Sequence, residues 1–117
     1  MEELISNNHN LELHHNVIVE TAIQINKDFA VFNEAVYPDP GIIQNEIELR
    51  EPLFKTVAHL LKSDKRKMMQ IIYRVDISEN TLGKQLSAVS ANDASEELSM
   101  IIIKREMQKI LIRRNIK

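Results

Sequence analysis

At 117 residues, with no cysteine and a net charge of −2, the chain has the length of one domain. It lacks the side chains for disulfides, cysteine-ligated zinc, iron–sulfur clusters or thiol catalysis. Two glycines and three prolines, set against many Leu, Ile, Glu, Lys, Gln and Met, favour long helices over turn-rich sheet. The longest apolar run, Met100-Ile101-Ile102-Ile103, falls far short of the about 20 residues that span a bilayer, so no transmembrane segment is expected. The opening Met1-Glu2-Glu3-Leu4-Ile5-Ser6 lacks a basic region followed by an apolar one. A reducing, cytoplasmic setting is therefore expected.

The charge is unevenly placed. Residues 1–51 carry two basic and ten acidic side chains, residues 52–117 thirteen basic and seven acidic. The simplest reading is that the acidic half packs against the basic half, or against a second copy; a basic surface seeking an anionic partner is the sharper one.

Residues 1–10 are polar and expected to fray. A stripe then runs Leu11, His15, Ile18, Ala22, Ile25, Phe29, Phe32 and Val36 at spacings of four and three, which is one face of a helix. The β-branched residues from Val17 to Ile25 alternate locally and allow a short strand over 11–25 as an alternative; the continuation through Lys27-Asp28-Phe29 favours helix. Tyr37-Pro38-Asp39-Pro40-Gly41 is a stop and turn, with Asp39-Pro40 suited to the cap and first position of a new helix. That helix carries Ile43, Ile47, Phe54, Val57 and Leu61 on one face, flanked by Leu49, Leu53 and Leu60. Glu46–Arg50 and Glu51–Lys55 are spaced as favourable pairs, and a kink or restart is expected at Glu51-Pro52.

Ser63-Asp64 reads as a break and cap before a face of Met68, Met69, Ile72 and Val75. Ser78 is placed to cap a short helix, with Ile77 and Leu82 as a hydrophobic staple. After the small polar connection Ser87 to Asn92, Asp93 and Glu96 resemble a capping box. The last helix then shows Met100, Ile103, Met107, Ile110 and Leu111, and ends among Arg113, Arg114 and Lys117, cations that suit a helix C-terminus. The expected fold is all-α, a single compact bundle-like domain over 1–117 of four to six helices with short connections.

Motifs for chemistry are scarce. Two isolated glycines cannot build a phosphate-cradling loop, and neither a Gly-x-Ser-x-Gly elbow nor a His-Glu-x-x-His pair is present. His9, His14 and His15, with Glu12 nearby and His59 far off, lack the spacing of ligands on one helix face; no metal or cofactor is expected. The Leu82-Gly83-x-x-Leu86 pattern superficially resembles the first half of a helix-turn-helix. Its second helix would open Asp93-Ala94-Ser95-Glu96-Glu97, carboxylates that repel phosphate.

Two basic clusters remain, Lys62, Lys65, Arg66 and Lys67, and then Lys104, Arg105, Lys109, Arg113 and Arg114. The second lies on an amphipathic helix and is the candidate anion-binding surface. Ile101, Ile102 and Ile112 fall off the last helix's main stripe, which makes them candidate self-association residues. The expected function is that of a non-enzymatic helical interaction or regulatory module, a homo-oligomer and specifically a dimer, with room for a protein partner. The alternatives are nucleic-acid or anionic-surface binding through the C-terminal basic helix, and an enzyme with a Glu/His site.

Overall fold

A computed structural model describes residues 8–86 and 91–114. It is all-α, with five α-helices and no strand among the described residues. The helices are α1 (Asn8–Ala30), α2 (Glu46–Ser63), α3 (Lys65–Val75), α4 (Glu79–Leu86) and α5 (Ala91–Arg113), with one 3₁₀ turn at Pro40–Ile42. Residues 11–25 are helical throughout, and α1 begins at Asn8. Residues 1–7 and the connection 87–90 lie outside the described residues.

The stripe on α1 is the face that packs. Ile18, Ala22, Ile25 and Phe29 are buried, and Val36 beyond the helix joins them. The helix stops at Ala30, earlier than its stripe, because Asn33 adopts a left-handed conformation at φ 64. Asn33 donates to the Ala30 carbonyl and Glu34 to the Phe29 carbonyl, a paired closure that leaves the last carbonyls satisfied. Asparagine tolerates this geometry better than most residues. The chain then returns across α1, where Asn26 pins Tyr37 in both directions: Asn26 Nδ2 donates to the Tyr37 carbonyl at 2.8 Å, and the Tyr37 amide donates to Asn26 Oδ1 at 2.9 Å. The Tyr37 phenol is buried, donates to the Leu49 carbonyl and is held above its ordinary titration range by burial.

Asp39-Pro40 begins only the 3₁₀ turn, its Oδ1 accepting from Gly41. The true start of α2 is capped by Asn45, which accepts from the Glu48 amide at 2.9 Å. The helix runs from Glu46 to Ser63 without interruption, with Pro52 inside it, so no fresh start occurs at Glu51-Pro52. The buried face is Leu49, Leu53 and Leu60, expected to flank the stripe, together with Val57 from the stripe itself; Ile47, placed on the stripe by spacing, is 57% exposed. Asp64 both ends α2 and caps α3 by accepting from the Lys67 amide at 3.0 Å. Ser78 caps α4 by accepting from Thr81 as expected, and Ile77 and Leu82 pack against the core.

α5 begins at Ala91, two residues before the expected cap, so Asp93 falls inside its first turn. It is the central helix of the bundle and contacts α1, α2, α3 and α4. That position reverses one expectation. Ile101 is 6% exposed and Ile102 fully buried, alongside Leu98, Ile103 and Ile110. A helix surrounded on several sides buries more than one stripe, so these two isoleucines serve the chain's own core and are not free for self-association. Ile112, at 65% exposure, is the one of the three that faces solvent.

Candidate functional site

The opposed charges of the two halves meet inside the molecule. Four ion pairs join them: Glu34 with Lys67 at 3.2 Å, Asp28 with Arg74 at 3.1 Å, Asp28 with Lys109 at 3.5 Å, and Glu20 with Arg114. Within the basic half, Arg105 pairs with Asp76, and Lys109 also lies against Glu106. The expected anion-binding surface is thereby largely spent. Arg105, Lys109 and Arg114 are turned toward carboxylates of their own chain, and Arg113 donates to Gln24 at 2.7 Å. Lys104 remains exposed. A cation already neutralised within the fold has little to offer a phosphate backbone.

The most unusual group is a carboxylate pair in the core. Asp28, from α1, is 2% exposed, and Glu106, from α5, is fully buried. Asp28 Oδ1 accepts from Gln24 at 3.2 Å and from Arg74 Nε at 3.1 Å. Lys109 lies beside both acids and donates to the Val75 carbonyl at 3.1 Å. Burial above all, with the neighbouring Asp28 acting in the same direction and Lys109 opposing, pushes the Glu106 carboxyl up to about 8. Paired acids with separated titrations are a common catalytic device. Here neither acid lines either of the two grooves that flank α5, so the pair has no route to a substrate through them. Neither residue drew notice as a sequence feature. The signal was present: Glu106 sits between Ile103 and Ile110 at core spacing, and Asp28 lies one position from Phe29 and three from Ile25.

The two grooves flank α5. The larger, about 580 Å³, runs between α4 and α5 over Ile77, Met107 and Leu111, with the Arg105–Asp76 pair on its rim. The smaller, about 330 Å³, lies between the start of α2 and α5. Its floor is Met100, Ile101, Ile103 and Met107, and its charged rim is Glu46, Arg50, Glu97 and Lys104. Among the described residues none of these four enters an ion pair. The Glu46–Arg50 pair expected from spacing does not form.

The described histidine side chains do not converge. His14 and His15 are half-buried on α1 and His59 is exposed on α2. Among the described residues no three His, Cys, Asp or Glu side chains are grouped to hold a metal. No described helix is long and apolar enough to cross a membrane. No family model matches the chain, and the searches of curated proteins and of solved structures return no match.

Proposed function

We propose that this chain is a non-enzymatic helical interaction module that pairs with a second copy of itself through the groove between α2 and α5. The observation that carries this reading is the composition of that groove: an apolar floor ringed by two acids and two bases, none of them neutralised within the chain. A two-fold interface places the same patch on both sides, so the patch must complement itself. Glu97 and Lys104 are seven residues apart, two turns along one face of α5. Antiparallel α5 helices crossing at Met100 set Glu97 of each copy opposite Lys104 of the other. Met100 then meets its counterpart at the centre, and Ile47, beside Glu46 and 57% exposed, extends the apolar area. This interface differs from the one expected from spacing, since Met100 and Ile47 replace Ile101, Ile102 and Ile112 as its apolar contacts.

Sedimentation at micromolar concentration tests the reading. The wild type is expected to be a dimer. Lys104→Glu, which sets like charges opposite each other twice, should weaken it by about tenfold or more, and adding Glu97→Lys should restore it. A monomeric wild type, or a charge swap that fails to restore association, would overturn the proposal. Anion binding through α5 has less support, because Arg105, Lys109 and Arg114 already hold internal partners.

A further inference from the structure

We propose that Asp28 and Glu106 hold a single proton between them and so form a proton-operated clasp joining α1 to α5. The geometry requires some such device. Glu106 Oε2 is buried with no donor of any kind, and Glu106 Oε1 and Asp28 Oδ2, buried as well, have between them only the shared Lys109 ammonium. An ionised carboxylate accepts through both oxygens, and leaving such acceptors empty in a core is costly. A proton on Glu106, directed at Asp28, supplies a donor to the pair, whose two carboxyls converge on the one Lys109 ammonium.

The charges around the pair support the same assignment. From α3, Arg74 engages Oδ1 of Asp28, but its side chain is 46% exposed and its charge is shared with water. From α5, Lys109 is the ammonium available to Glu106, and it is divided among Glu106, Asp28 and the Val75 carbonyl. From α1, Gln24 donates to the same Oδ1 as Arg74. Among the described residues α2 and α4 contribute no ion-pair partner to either acid. Two buried negative charges would thus depend on one shared ammonium and one solvated guanidinium. Like charges held this close do not both ionise at neutral pH.

The direction of the pH response follows. The unfolded chain releases the Glu106 proton near the ordinary value of 4.5, whereas the folded chain retains it to about 8. The clasp's contribution to stability is therefore whole below about 4.5 and is lost as pH rises through about 8. Above that, the acids repel across the α1–α5 contact, and the central helix loses one of its ties to the bundle.

Thermal melts of the whole chain between pH 5 and pH 9 provide the test. The wild-type melting temperature should fall by roughly 5 °C or more over this window. Glu106→Gln, which donates as the protonated acid does, should remove that fall and melt above the wild type at pH 9. Carbon-13 NMR of the wild-type Glu106 carboxyl, which needs no variant to fold, should show a midpoint near 8. A carboxyl that titrates near its ordinary value, a flat wild-type profile, or a fall retained in Glu106→Gln would each overturn the proposal.

Discussion

Arg105 holds Asp76 at two points, its Nε donating to the backbone carbonyl at 3.0 Å and its Nη2 to Oδ2 at 3.0 Å. Asp76 ends α3 in a left-handed conformation at φ 70, with its amide directed to Ile72 and Tyr73 and the next amide to Ile72. The guanidinium of α5 therefore fastens the C-terminus of α3 at its most strained residue.

The two effects at Asp76 can be separated by substitution. Asp76→Gly relieves a backbone cost of about 1 kcal/mol and loses an ion pair whose carboxylate is 82% exposed, worth at most about 1 kcal/mol. The net change in urea denaturation should lie within about 0.5 kcal/mol. Asp76→Val adds a β-branched side chain at positive φ and should cost about 2 kcal/mol. Equal losses for the two variants would show that the side-chain contact, not the backbone, dominates here.

A second expectation separates the isoleucines of α5. Ile102 is fully buried and Ile112 is 65% exposed. Ile102→Ala should destabilise the fold by about 2–5 kcal/mol, while Ile112→Ala should stay within about 0.5 kcal/mol. Chemical denaturation of both variants, side by side, would expose a reversed order.

Gly83 offers a gain. It lies inside α4 with no positive φ, and a Cβ there would meet nothing within 4 Å. Gly83→Ala should raise stability by about 0.5–1 kcal/mol through lower entropy of the unfolded chain and better helix propensity. A fall in melting temperature would mean that the open space beside α4 is filled by something the substitution disturbs.

The fold was legible where one periodic face met one core. Ile18 through Phe29 on α1, Asp64 and Ser78 as caps, and the helical class itself all follow from spacing and capping chemistry. What escaped the sequence depended on how many neighbours a helix has. α5 is packed from several sides, so its apolar residues spread around it, and Ile101 and Ile102 looked like surplus. On α2 the two candidate faces differ by a small rotation, and tertiary packing chose Leu49 and Leu53 over Ile47. The buried acids were harder still. A carboxylate at core spacing is ordinarily read as solvated, and only the approach of α1 to α5 brings Asp28, Glu106 and Lys109 together. The charge asymmetry was legible as attraction between halves, but the individual pairs require the approach of α3 and α5 to α1 and to the turn that follows it.

Asp64 serves as the last cap of one helix and the first of the next, so α2 and α3 meet with no slack residue between them. Such a junction meshes like two gears on one shaft. Adding a single residue to the end of α2 would turn the start of α3 by about 100°, carrying Met68, Ile71, Ile72 and Val75 out of phase with the core that receives them. The segment from Val31 to Asn45 is different: it is largely irregular, and its exposed positions include Pro38, Asp39 and Gln44. Length variation in this domain is therefore permitted between α1 and α2 and forbidden between α2 and α3, although the sequence marks a helix break at both places.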